Sequence, residues 1–290
     1  MQALDALRQH GVVVIENAVD AANIDRAITQ IDDFRNTNLD WLGTNGLLVN
    51  QRLFRVVDLH LLLPELRTML TAASPQALAV ADQIGKASLY TSLYFESGSE
   101  QAFHRDTPYF WTAPPYAYAG IWIALEDVDE SNGALTAIPG SHLLGEPDLL
   151  ALRRSFFGAG ECPSSHTPLF DAYNSAVRDM ALAAGLQPAV FPVRKGDAII
   201  WNASTLHGGI AHVDKKRSRK SFVMHVTPRG VPVVHMQYFF HPERPMPERA
   251  PWGYFEERGR AFAAHNHVGF MHKLDLTPEH FDASYRYIGA

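Results

Sequence analysis

From Ser88 to Thr227 the chain repeats one pattern: short segments rich in β-branched and aromatic residues, separated by turn-forming residues. Ser88, Tyr90, Ser92 and Tyr94 alternate with Leu89, Thr91, Leu93 and Phe95, the period of two that sends successive side chains to opposite faces of a strand. Residues 119–125 (AGIWIAL), 134–138 (ALTAI), 197–202 (DAIIWN) and 221–227 (SFVMHVT) continue the series, with Ser131-Asn132-Gly133 and Pro139-Gly140-Ser141 as turns. Strands at this spacing predict a mainly β sandwich or barrel.

Helices flank the series. Residues 11–15 (GVVVI) read as a strand, after which Asp20 is placed to cap a helix carrying Ile24, Ala27, Ile28 and Ile31 at helical spacing. Two further amphipathic helices are expected around 61–70 and 77–84, so the part up to about residue 87 reads as helical. A stretch from about 143 to 192, with a helix around 173–186, interrupts the strands where a tight hairpin would serve, and reads as an inserted lid. The tail from about 228 to 290 is rich in Pro, His and aromatic residues, with a short helix expected at 256–264. No linker or repeat divides the chain, so residues 1–290 are taken as a single domain.

Charge and cysteine usage exclude several functions. The net charge is −6, and the densest basic cluster, Lys215, Lys216, Arg217, Arg219 and Lys220, is too short to neutralise a run of phosphates, which argues against nucleic acid. The single cysteine, Cys162, rules out an internal disulfide and a multi-cysteine zinc site, and fits a reducing compartment. No stretch has the apolar length of a membrane span, and the first residues lack a signal-peptide core. A cytoplasmic protein with no membrane partner is the expectation.

Fourteen histidines are many for 290 residues, so spacing decides which of them matter. His104 and Asp106 are two apart, and on extended chain i and i+2 project to the same side. His207 lies just beyond the 197–202 strand, next to Gly208 and Gly209, which leave room around it. Two histidines and one carboxylate can occupy one face of an octahedral iron(II) and leave the other positions open for a bidentate 2-oxo acid and O2. An isolated H-x-D also arises by chance, and a histidine beside glycines is more often a satisfied polar residue than a ligand. Spacing alone leaves both readings open.

Three ordered blocks of sequence add to this. The first is Gln101 to Phe110 (QAFHRDTPYF). The second runs from IWIAL at Ile121 through DVDESNGAL at Asp127 to IPGSH ending at His142. The third is GDAIIW at Gly196, then Leu206-His207-Gly208 and Arg219-Lys220-Ser221. From about Gly11 to Thr227 the chain resembles the phytanoyl-CoA dioxygenase family of Fe(II)/2-oxoglutarate oxygenases, and departs from it in the tail. The resemblance implies a double-stranded β-helix (a cupin-like jelly roll) flanked by α-helices, with His104, Asp106 and His207 as iron ligands. It further implies Fe(II), 2-oxoglutarate and O2 as cofactor and co-substrates, and hydroxylation of a small molecule with release of succinate and CO2.

The distal carboxylate of 2-oxoglutarate needs a cation, and a planar guanidinium suits it better than an ammonium. Arg219 is the expected anchor, with Ser221 on the same strand face; Arg217, two residues earlier, is its rival. Gln101, Trp122 and Tyr94 are further candidates for the co-substrate site, each with an ordinary packing or surface role as the alternative. His142 is expected to bond backbone at its turn. Arg105, Tyr109, Trp111, Trp201 and Asn202, with Tyr238, Phe239, Trp252 and Tyr254 of the tail, are candidates for a substrate pocket. Desaturation, epoxidation or rearrangement would use the same cofactor, and a non-catalytic metal-binding jelly roll is the reading from another class.

Overall fold

The computed structural model describes residues 3–289. A ten-stranded sheet forms the backbone of the molecule. Val12–Ile15 pairs with Ala198–Asn202, which pairs with Ala119–Ala124, and the order continues through Ser221–Pro228 and Ala87–Phe95 to Val56–Val57. A second sheet of three strands, His207–Gly209, Leu135–Ala137 and Ala189–Phe191, lies opposite. The two are joined by an apolar layer in which Phe95, Trp122, Ile199, Trp201 and Val223 of the large sheet meet Leu135, Ala137 and Val193. This is a β-sandwich, as the strand spacing predicts, and the jelly roll that the family resemblance implies.

The other face of the large sheet is covered by helices. Asp20 caps the helix Ala21–Thr37, its carboxylate accepting from the Asn23 amide at 2.9 Å. The helix buries Ile24, Ala27, Ile31 and Phe34 against Ile121, Ile123, Phe222 and Met224 of the sheet. Since Phe222, Met224 and Val226 lie in this cluster while Val223 lies between the sheets, strand Ser221–Pro228 keeps its period of two. Strand Ala87–Phe95 does not. The register with its partner shifts between His225 and Val226, so that Thr91 pairs His225 and Leu89 pairs Val226. Tyr90 is the extra residue, and the bulge puts Leu89 on the helix-covered face together with Tyr94.

Two expected helices come out differently. The one expected around 61–70 is broken into Leu59–Leu61, Pro64–Arg67 and Thr68–Thr71. Pro64 has no amide to donate and Leu63 before it is extended, so a continuous helix cannot pass. The helix expected at 256–264 is a β-hairpin, Tyr254–Glu257 with Arg260–Ala263. Arg258 and Gly259 both have positive φ, 47° and 77°, which turns the chain tightly between two strands. Phe262 is then fully buried, stacked on Phe255 and seated beside Leu89. The interruption between residues 143 and 192 does contain helices, Leu149–Phe157 and Thr167–Ala183. They pack with Met236, Phe239 and Phe240 of the tail into a third apolar cluster. Among the described residues no helix is long and apolar enough to cross a membrane.

The tail hairpin is therefore part of the main core. Phe262→Ala should lower stability by about 3–5 kcal/mol, the cost of emptying a buried phenylalanine site. Urea unfolding checks this: a lower midpoint at unchanged slope is expected. A loss below about 1 kcal/mol would mean the hairpin is dispensable to the core.

Candidate metal centre

His207 opens a strand of the small sheet, and His104 exchanges backbone hydrogen bonds with it, N to O at 2.9 and 3.0 Å. The close approach depends on Gly208, where a Cβ would stand 2.6 Å from the Gln101 carbonyl oxygen. One residue pair thus sets two imidazoles side by side, ring centres 4.3 Å apart. Asp106 completes the group. Its Oδ1 is 3.5 Å from His104 Nε2 and its Oδ2 3.5 Å from His207 Nε2. One donor atom from each of the three residues lies within 4.8 Å of the others, a cluster able to hold a metal ion.

The histidines are prepared for that role by their backbone contacts. Nδ1 of His104 is 2.9 Å from the Ala102 carbonyl, and Nδ1 of His207 is 3.0 Å from that of Thr205. A carbonyl only accepts, so each Nδ1 carries the proton and each Nε2 presents a lone pair toward Asp106. Burial drives the His207 pKa down to about 4, which keeps that imidazole neutral at physiological pH. Burial opposes ionisation of Asp106, and positive charge on His207 and the other imidazoles around it, when they carry it, outweighs burial and takes its carboxyl well below the usual range. Two neutral imidazoles and a carboxylate suit a divalent transition metal.

Around Asp106 lie residues that spacing did not reveal. Tyr118 donates to Asp106 Oδ2 at 2.6 Å, and the Trp201 indole donates to the same oxygen at 3.1 Å. Burial, reinforced by Asp106, pushes the Tyr118 hydroxyl well above its ordinary pKa, so it remains a donor. His225 Nδ1 contacts the Tyr118 oxygen, and since the tyrosine proton goes to Asp106, His225 is the donor there. Trp201 reaches across because its strand neighbour is Gly120, where a Cβ would overlap the indole at 2.1 Å. The only sequence signal for Tyr118 and His225 was their placement at or beside strands that converge on Asp106. Partners of this kind orient ligands and tune their basicity.

Arg219 lies on the same inner surface. It is 4% exposed, bonds Ser221 Oγ through Nη1 at 3.1 Å, and places its guanidinium over the rings of Trp122 (5.6 Å) and Phe95 (5.8 Å). Among the described residues no carboxylate lies within 4.0 Å of it, and its Nε has no partner. Burial lowers its pKa to about 10, which still leaves it charged at neutral pH. A buried guanidinium without an acid is costly unless it receives an anion. Arg217 has a different environment: partly exposed, it pairs with Asp129 at 2.7 Å and with Ser131 Oγ at 2.7 Å.

The remaining candidates divide. Trp122 belongs to this surface, and Gln101 flanks it through its carbonyl, which accepts from the Gly209 amide at 2.9 Å. Tyr94 does not join them. Its pairing with Phe222 puts it on the helix-covered face, its hydroxyl 3.1 Å from Glu96. Arg105 is fully buried and ties down the following loop through the carbonyls of Ser141 (2.6 Å) and Leu144 (3.2 Å), so it is no pocket residue. Phe239 is core, Asn202 accepts from Gln83 at 3.0 Å, and Tyr254 lies under Arg229 on the hairpin surface. Tyr109 is half-buried against Phe170. His142 contacts the Arg8 carbonyl at 3.0 Å, the backbone bond expected of it.

Removal of a ligand and removal of its support should differ. His207→Ala should abolish stoichiometric Fe(II) binding, whereas Tyr118→Phe should retain it at about 10–100-fold lower affinity. Anaerobic metal titration with a competing chelator checks both; equal affinity in Tyr118→Phe and the unmodified protein would remove Tyr118 from the site.

Known proteins share sequence and fold with this chain. Residues 7–221 match the model of the family described as phytanoyl-CoA dioxygenase. A bovine (Bos taurus) phytanoyl-CoA dioxygenase domain-containing protein 1 is 29% identical over 176 residues, 58% of this chain and 54% of that protein. A rice (Oryza sativa subsp. japonica) phytanoyl-CoA dioxygenase 1 is 48% identical over 48 residues, 17% of each chain. The chain thus spans about half the length of the bovine relative, and less of the rice one. Among solved structures, the nogalamycin-biosynthesis epimerase SnoN, in a complex with Fe3+, alpha ketoglutarate and nogalamycin RO, superposes with a TM-score of 0.58 at 20% identity, covering 90% of this chain and 96% of that one. The carbocyclase SnoK gives 0.57 at 20% identity, covering 87% and 92%. With a family match that spans about three quarters of its length and the jelly roll of these structures, the chain belongs to the phytanoyl-CoA dioxygenase family.

Proposed function

We propose that the protein is an Fe(II)/2-oxoglutarate-dependent dioxygenase that hydroxylates a small-molecule metabolite, with residues 1–290 acting as one catalytic unit. The observation that carries this reading is the pairing of the His104–Asp106–His207 cluster with a buried, acid-free Arg219 on the same inner surface. A zinc hydrolase has no use for that second feature. Family membership and the fold shared with iron- and alpha-ketoglutarate-dependent enzymes support it.

Bound iron with 2-oxoglutarate would supply the oxidising power, coupling C–H oxidation by O2 to decarboxylation of the co-substrate to succinate and CO2. The chain's own residues do the rest. His104 and His207 offer neutral Nε2 atoms and Asp106 a carboxylate, while Tyr118 and Trp201 fix the carboxylate's orientation from behind. Arg219 and Ser221 would take the distal carboxylate of 2-oxoglutarate, on the floor made by Trp122 and Phe95. The helices Leu149–Phe157 and Thr167–Ala183, locked to the tail segment Met236–Phe239, would cover the site and limit water. A second reading keeps this cofactor chemistry but ends in epimerisation or ring closure, the outcomes named for SnoN and SnoK.

Succinate release that requires both O2 and 2-oxoglutarate separates either reading from a ligand-binding jelly roll, which would release none. Arg219→Ala should raise the 2-oxoglutarate requirement by about 10–100-fold, the loss of a charge-assisted pair of about 1.5–3 kcal/mol. Arg217→Ala should change it little. The reverse order would make Arg217 the anchor. Turnover in excess chloride or bromide should give oxygenated product only, because Asp106 fills the position a halide would need; halogenated product would overturn Asp106 as a ligand.

A further inference from the structure

Arg105 lies between two of the three candidate ligands, and its backbone is held on the side away from the third. In a paired extended chain successive amides point to opposite edges. The amide and carbonyl of His104 turn to His207, so the Arg105 amide turns the other way, where among the described residues no strand pairs with it. A side chain takes the place of that strand: Asn174 Oδ1 accepts from the Arg105 amide at 2.8 Å, in a buried bond. Asn174 is 5% exposed and stands in the middle of the helix Thr167–Ala183. Its Nδ2 donates to the Phe170 carbonyl at 2.9 Å, which leaves Oδ1 as the end that can accept. Asparagine is a poor helix former and is seldom buried, so local propensity does not explain it here.

The same helix face meets the ligand segment twice more. The Phe170 ring, one turn before Asn174, is 6.2 Å from the His104 ring. Tyr173 donates to Glu146 at 2.7 Å, and Glu146 lies 3.3 Å from Nη1 of Arg105. Residues 170, 173, 174 and 177 share one side of a helix, and Val177 anchors that side in the apolar cluster shared with the tail. Arg105 is thus fixed by its side chain to the loop after Ser141 and by its amide to the helix. A buried amide stripped of its acceptor is costly, so the helix cannot lift away without loosening the residue that joins His104 to Asp106.

We infer that Asn174 is a positioning residue for the metal centre: by holding the Arg105 amide it fixes the stretch of chain that aims His104 and Asp106 at one ion. This rests on the function proposed above, and it gives the helix Thr167–Ala183 a part in metal binding beside its part as a cover. The helix is then a fixed wall of the centre and not a gate. Coupling of this kind is reciprocal: a helix that holds the ligands in place must itself be held more firmly once an ion is bound.

Hydrogen exchange of the full chain, with and without Fe(II) and in the absence of O2 and co-substrate, tests that reciprocity. Iron should slow exchange in residues 167–183 by about tenfold more than in the helix Ala21–Thr37, which covers the far face of the large sheet. Competition with a chelator then compares three variants. Asn174→Leu, which keeps the volume and removes the acceptor, should weaken Fe(II) binding by about 10–100-fold, whereas Asn174→Asp, which restores the acceptor, should bring it back to within about threefold. Val177→Ala, which loosens the same helix without touching the ligand segment, should change the affinity by less than about twofold. Equal slowing in the two helices, undiminished affinity in Asn174→Leu, no recovery in Asn174→Asp, or an equal loss in Val177→Ala would each overturn the assignment. The exchange experiment needs no variant, so it decides the matter even if Asn174→Leu does not fold. Failure of the unmodified protein to bind Fe(II) at all would sink the proposed function, and the role of Asn174 with it.

Discussion

The structure turns on one buried carboxylate. Asp106 is 7% exposed, and an ionised group so placed is tolerated only if enough donors and positive charge surround it. Tyr118 and Trp201 supply two hydrogen bonds to Oδ2, and the His104 and His207 Nε2 atoms stand 3.5 Å away with lone pairs turned inward. Without a cation, two lone pairs and a carboxylate would face one another with nothing to share. A divalent metal would resolve that conflict, and the cluster's geometry could hold one.

Much of the surrounding fold serves this placement. The large sheet delivers Trp201 and, two strands away, Arg219 and His225; the small sheet delivers His207; and a single backbone bridge ties His104 to His207. Asn132, 1% exposed in its turn, accepts from the Asp129 amide at 2.8 Å and donates to the Ser218 carbonyl at 3.0 Å, which fixes the approach of the strand bearing Arg219. Helices on the far face bury the opposite side of the same strands, so the alternation that aims Arg219 and Ser221 inward is held by Phe222 and Met224 packing outward.

What could be read from the sequence follows the range of the interactions. The period-two strand at 221–227, the Asp20 cap and the 104/106 spacing depend on residues close in the chain, and each appears in the structure where expected. The inward placement of Arg219 was legible because alternation separates it from Lys220, whereas the ion pair of Arg217 with Asp129 required a fold. Tyr94 was a candidate because it and Ser92 give their strand face polar groups; its pairing with Phe222 puts that face under the helices, and no composition rule tells the two faces apart. The tail hairpin was mistaken for a helix since Glu256 to Ala264 holds good helix formers; Arg258 in a left-handed turn and the tertiary seat of Phe262 override that propensity. Tyr118 and Trp201 act on Asp106 from remote parts of the chain, so pattern alone carried no signal for their roles.

The central claim is that one buried cluster and one buried arginine together bind iron and a 2-oxo acid. An anaerobic titration of the Fe(II) protein with 2-oxoglutarate, followed by visible absorption, tests it directly, because chelation of iron by a 2-oxo acid creates a charge-transfer band that neither partner shows alone. The expected result is a band that saturates at one co-substrate per chain, and that appears only at much higher concentration when the distal carboxylate is removed, as with 2-oxobutyrate. A protein that binds iron but never develops the band, or that responds equally to both acids, would contradict the claim.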